Sequence, residues 1–225
     1  MTGGLPGLLA RIEDEAAREE FPLDIEVYKR AGRPPLAPIL SAGNKRADVC
    51  FFARDLGVEE VLRGEPLIGS AGRRVRRAVV DHVAPGKAFD PPFYTAGSPH
   101  MFLTNTVPYK PVGNVEFSRE VKSRFRPFIE ELLVAVWTGN IIIPMGEGAF
   151  KWFAPYAPER EVLRFWDDRE RRFTGTMAVT LKAVVDGVET AKEVTLAPVP
   201  HPSPRSPFMK DFPRLLDGRL KEFVR

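Results

Sequence analysis

The stretch ADVCFFARDLG, residues 47–57, divides into an apolar run and a polar turn. From Ala47 to Ala53 the run is rich in β-branched and aromatic residues and shows no alternation, which reads as a strand buried on both faces, as in a parallel sheet. Three other segments have the same character: MFLTNTV (101–107), NIIIPM (140–145) and VTLAPV (194–199). Between them, residues 71–83, 119–137 and 148–154 carry helical spacing. Strands alternating with helices are the βαβ rhythm of a parallel sheet with helices on both faces. The expected fold class is α/β, a three-layer α/β/α sandwich around a four-stranded parallel sheet. Residues 174–194 depart from this rhythm, because two β-rich runs flank Asp186-Gly187, a hairpin-turn dipeptide. An extra β-hairpin before the last strand, or extending it, is expected there. Upstream, residues 5–20 read as a helix closed by Pro22, and a Pro/Gly-rich passage follows. Residues 1–46 are therefore an N-terminal helix and wrapping loop, and residues 1–225 a single domain.

Composition narrows the function classes. Hydrophobic residues make up 44% and charged residues 28% of the chain, as in ordinary globular proteins. No apolar run approaches the roughly 20 residues that span a bilayer, and the acidic N-terminal stretch is unlike a signal or transit peptide. A cytoplasmic location and no membrane partner are the expectation. Lys and Arg number 33 against 30 Asp and Glu, but arginines cluster in AGRRVRRAVV (71–80) and DDRERRF (167–173). RRVRR reads either as the solvated face of a helix or as a contact for a polyanion. The lone cysteine, Cys50, lies inside an apolar run and reads as a buried small hydrophobe. One cysteine excludes intrachain disulfides, thiolate clusters and multi-cysteine zinc sites. No cofactor and no metal are expected.

In open parallel sheets, ligands bind beyond the carboxyl ends of the strands. Three polar side chains stand there, Asp55, Asn105 and His201, each after a different strand. An amide offers a donor and an acceptor together, which suits the edge of a pyrimidine. An imidazole can donate to an oxygen that becomes anionic as a bond breaks, and a carboxylate can stabilise developing positive charge or orient water. Together they fit cleavage of an N-glycosidic bond. Taken singly, Asp55 could cap a helix, Asn105 could bond local backbone in a turn, and His201 could be satisfied by a carbonyl. His82 and His100 have no motif around them and read as structural or exposed.

These residues carry a family resemblance. HPSPRS (201–206) resembles the histidine-proline-serine-proline loop of the uracil-DNA glycosylase superfamily, FLTNTV (102–107) its asparagine-bearing strand, and FFARDLG (51–57) its water-activating loop. RGEPLIGSAGRRVRRAV (63–79) and IIIPMGEGAF (141–150) are similar to segments of its iron–sulfur branch. The resemblance implies that Asp55 is the catalytic aspartate, that Asn105 reads the uracil edge, and that His201 hydrogen-bonds the O2 oxygen of the departing base. It also implies that Ser203 contacts a DNA phosphate and that Arg205 wedges into the duplex. Leu67 stands at the uracil-stacking phenylalanine and Gly57 at the tyrosine that excludes the thymine methyl. Ala53 and Arg54 replace the usual glycine and glutamine or glutamate, which alters the fit around the base. Tyr109 stands at a cluster cysteine, so the resemblance implies a cluster-free member.

The expected activity is that of a monofunctional DNA glycosylase. It flips uracil out of double- or single-stranded DNA and hydrolyses its N-glycosidic bond, giving free uracil and an abasic site, and it acts as a monomer. The competing expectation is a binder of single-stranded DNA or abasic sites on the same fold.

Overall fold

The computed structural model describes residues 4–87, 97–113, 115–203 and 206–224. The chain opens with helix α1 (Leu5–Arg18) and a short helix α2 (Ile25–Arg30), followed by strands β1 (Ser41–Gly43) and β2 (Val49–Ala53). Next come α3 (Val58–Arg63), α4 (Ser70–Val83) and β3 (Phe102–Asn105). Helix α5 (Arg119–Glu131) ends in a π-helical turn, Leu132–Val136, and leads into β4 (Ile141–Pro144) and α6 (Glu147–Lys151). The chain finishes with α7 (Glu159–Asp167), the antiparallel pair β5 (Met177–Val185) and β6 (Val188–Leu196), and α8 (Phe212–Phe223).

The protein is a mixed α/β structure whose strands form one sheet in the order β1-β3-β2-β4-β6-β5. The parallel strands expected from sequence are its centre: β3, β2, β4 and β6 pair parallel in turn. The sheet nevertheless has six strands rather than four, because β1 adds antiparallel to β3 and β5 adds antiparallel to β6. Of the two placements expected for the hairpin, it extends the last strand rather than preceding it, because its second arm is that strand. Asp186 and Gly187 turn it with φ of 50° and 80°, the left-handed pair that a two-residue hairpin of this hand requires. The wrapping loop is likewise less irregular than its prolines suggested, since it contains β1 and follows α2.

Alternation along β2 separates two apolar clusters. Phe51 belongs to a cluster with Val75 and Val79 of α4 and with Phe212, Leu216 and Leu220 of α8. Phe52 belongs to the other, with Leu8 and Ile12 of α1, Phe125 and Ile129 of α5, and Phe150. Every residue of β2 is buried, which explains why its sequence is apolar without a period. Cys50 is buried with it, and burial pushes its thiol well above the usual range.

Polar ties hold the N-terminal segment to this core. Lys110, itself buried, donates to Asp24 at 2.8 Å and to the carbonyls of Pro111 and Gly113. Tyr109 donates its hydroxyl to the Leu36 carbonyl at 2.7 Å, and Arg124 pairs with Glu15 at 2.8 Å. No helix among the described residues is long and apolar enough to cross a membrane.

RRVRR is not simply a solvated face. Arg77 pairs with Asp81 on the surface, but Arg76 is buried and pairs with Glu65, while its Nε donates to the Leu67 carbonyl at 2.7 Å. Gly72 gives that carbonyl its room, because a Cβ at Gly72 would overlap it. Gly72→Ala is therefore expected to destabilise the fold by about 3 kcal/mol, the upper part of the range for overpacking. A urea titration that left the midpoint unchanged would refute this.

Candidate active site

The parallel register brings the ends of the central strands together. Ala53 at the end of β2 lies opposite Asn105 at the end of β3. Thr106 then ties the turn after β2: its backbone N–H donates to the carbonyls of Ala53 and Arg54, both at 3.0 Å, and its hydroxyl donates to the Arg54 carbonyl at 2.6 Å. On the other side, Met145 N–H donates to Phe52 and Gly146 N–H to Val199, each at 2.9 Å. The loops beyond these ends enclose a cleft of about 760 Å³. Arg54, Asp55, Gly57, Leu67, Asn105, His201 and Ser203 all line it. Arg205 lies outside the described residues.

Asn105 is 1% exposed, and neither its Oδ1 nor its Nδ2 has a hydrogen-bond partner among the described residues. Its amide makes none of the local turn bonds that a structural role requires. Leaving such a group unpaired costs about 1–3 kcal/mol, a penalty that a planar ligand bearing a donor and an acceptor would relieve.

Asp55 does not cap a helix either. Helix α3 begins after Gly57, whose N–H donates instead to the Glu60 carboxylate at 3.0 Å. The Asp55 side chain is 6% exposed, and its Oδ2 forms an ion pair with Arg54 Nε at 2.8 Å. The contact lacks hydrogen-bond geometry, and neither buried carboxylate oxygen has a hydrogen-bond partner among the described residues. Burial raises the Asp55 pKa to about 6, against the opposing pull of Arg54 and Lys122.

His201 accepts at Nδ1 from the backbone N–H of Ser203 at 3.2 Å. In the neutral ring the proton therefore sits on Nε2, which becomes the donor. Burial, helped by the charge of Arg54, lowers the pKa of His201 and favours that neutral form. Gly146, with φ of 83°, makes the approach possible, because a Cβ there would come within 2.8 Å of the His201 Cβ. Arg74 of α4 holds the same loop by donating to the Pro202 carbonyl at 3.1 Å.

The opposite wall is equally fixed. Leu67 is buried with φ of 54°, a left-handed conformation that a branched side chain rarely adopts, and Arg76 holds its carbonyl. Glu60 staples this wall to the turn after β2, because its carboxylate accepts from Gly57 N–H on one side and from Gly69 N–H at 2.8 Å on the other. Beyond the polar centre, Trp166, Phe173 and Phe208 close the cleft, with Arg172 stacked 5.1 Å from the Phe173 ring and 4.8 Å from that of Phe208.

A family model described as the uracil DNA glycosylase superfamily matches residues 40–223. The chain belongs to that superfamily. No curated protein matches the chain. Membership in the uracil-DNA glycosylase superfamily carries a DNA glycosylase-type function and DNA as the substrate. Residues 1–39 fall outside the match, although α1 packs into the same apolar cluster as α5. The residues singled out from sequence line this cleft, Arg205 aside, but no positioning role was read there for Glu60, Arg74, Arg76, Thr106 or Gly146. For Gly146 the signal is MGEG after an apolar run, the pattern of a glycine at a strand-to-helix turn, and for Arg74 and Arg76 it is the RRVRR cluster.

Proposed function

We propose that the protein is a monofunctional uracil-DNA glycosylase. The observation that carries this reading is the amide of Asn105, buried with both polar atoms unpaired in the cleft that Asp55 and His201 also line. A uracil edge presents a carbonyl beside an N–H, the complement of a carboxamide. The base reaches the cleft by rotating out of the stack, at a cost of a few kcal/mol that is least in mismatches and single strands. Leu67 packs against one face of the base, Ser203 contacts a phosphate of the DNA backbone, and Arg205, two residues on, wedges into the duplex.

Cleavage is dissociative. The bond from the sugar carbon to the base nitrogen breaks, its electron pair leaves with uracil as an anion, and the sugar becomes oxocarbenium-like. His201 donates from Nε2 to the O2 oxygen as charge builds there, while the ionised Asp55 stabilises the sugar cation and orients the water that adds to it. No proton transfer to the base is needed at this step. The water loses its proton through Asp55 to solvent.

Incubation of the protein with uracil-containing oligonucleotides, in U·G pairs and in single strands, is expected to release free uracil and leave unbroken abasic strands. Binding without release would replace the enzyme with a binder of the same DNA. Asn105→Asp is expected to lower uracil release at least about tenfold, because a carboxylate repels the carbonyl that the amide N–H₂ would meet. Unchanged uracil release in the same assay would remove Asn105 from recognition.

A further inference from the structure

Arg54 stands where the superfamily resemblance leads one to expect glutamine or glutamate, and its position gives it more to do than touch the base. A second cleft, of about 890 Å³, adjoins the first, and Arg54, Met145, Gly146, Glu147 and His201 line both. Arg54 lies across this shared wall. Its Nε is 2.8 Å from Asp55 Oδ2, and its Nη1 donates to Glu116 Oε2 at 3.3 Å. Glu116 is held in turn by Lys122 of α5. Gly148 provides the recess for this chain, because a Cβ there would come 3.0 Å from both Arg54 Cδ and Glu116 Oε1.

We propose that Arg54 is a positioning residue for the glycosidic step, its guanidinium shared between Asp55 and Glu116 so that the Asp55 carboxylate is held charged beside a neutral His201. The role rests on the uracil-DNA glycosylase reading above. An opposite charge within about 4–6 Å favours an ionised carboxylate, and the same positive charge disfavours a protonated imidazole. Both effects run toward the protonation states the reaction needs. Arg54 thus offsets part of the cost of burying Asp55, in a position where glutamine would bring no charge.

Two of the other charged groups around the cleft are committed elsewhere. Glu60 of α3 is bound by Gly57 and Gly69, and Glu147 of α6 pairs with Lys151 at 2.5 Å. Glu59 of α3 lines the same cleft and adds negative charge. Lys122 acts in the same sense as Arg54 on Asp55, while Glu116 acts against it. Of these groups, only Arg54 spans Asp55 and the second cleft.

The test combines NMR titration of the His201 ring and the Asp55 carboxyl in DNA-free protein with single-turnover uracil release across pH. In Arg54→Gln both midpoints should rise by about one pH unit, and the acid limb of release should move with them. Arg54→Lys should restore most of the shift, and Glu116→Gln should move the Asp55 midpoint downward. Unmoved midpoints in Arg54→Gln, with release lowered equally at every pH, would overturn the proposal and leave Arg54 as a DNA contact alone. Midpoints that shift in a protein that releases no uracil would refute the enzymatic reading while upholding the electrostatic role of Arg54.

Discussion

Asp55→Asn is expected to release uracil at least about tenfold more slowly than the wild type while unfolding at a higher temperature at pH 7. The kinetic half follows from losing the charge that faces the sugar cation, an electrostatic contribution of the kind that is often worth 10²–10³ in rate. The stability half follows from burial. The pKa of Asp55 is raised from 3.8 to about 6 on folding, so its contribution to stability is fully present below about pH 4 and is lost as pH rises through about 6. Above that pH the protein carries a buried charge only partly offset by Arg54. The penalty is on the order of 1–3 kcal/mol for a shift of roughly two pKa units, and asparagine does not incur it. In a chain of this length the gain corresponds to several degrees of melting temperature. The difference between variant and wild type should shrink toward pH 4. Thermal scans at pH 4 and pH 7, paired with single-turnover release, check both halves, and a lower melting temperature for the variant at pH 7 would refute the second.

His201→Ala is expected to slow release by about 10²–10³, the loss typical of removing one preorganised donor from a developing anion. It also strips Ser203 N–H of its acceptor, so part of the loss comes from a looser loop. The pH profile separates the two causes. On the proposed mechanism release needs Asp55 ionised and His201 neutral, and protonation disables both, so the acid limb should fall with a slope approaching two protons. His201→Ala should leave a one-proton limb set by Asp55, and Asp55→Asn a one-proton limb set by His201. Neither group produces a fall on the alkaline side. Wild-type rates in His201→Ala would end its role as a donor.

The parallel centre of the sheet was readable because complete burial leaves no freedom in the sequence. In β2 and β4 nearly every position is apolar, and the polar residues begin where the strands end. The edge strand β1 was not readable, since Ser41–Gly43 are small residues whose pairing is decided by β3 rather than by their own preference. Helix α8 was legible in principle from Phe212, Leu216 and Leu220 at helical spacing behind Pro213, but the neighbouring prolines masked it. The polar centre of the site could be named from strand-end logic because Asp55, Asn105 and His201 lie within a few residues of strand termini. Its supports could not. Glu60 reaches Gly69 across nine residues, and Arg76 reaches Glu65 across eleven, distances over which one sequence carries no pairing signal.

Helix α4 carries Arg74 and Arg76 only two residues apart, one holding the Pro202 carbonyl of the histidine loop and the other the Leu67 carbonyl of the facing wall. The two sides of the cleft are thus registered by a single rigid rod. They are not separable modules: grafting another protein's histidine loop, or a new stacking residue, would also import a demand on the pitch of α4. A change of base preference in this scaffold would have to be engineered, or evolved, with both loops and the helix moving as one unit.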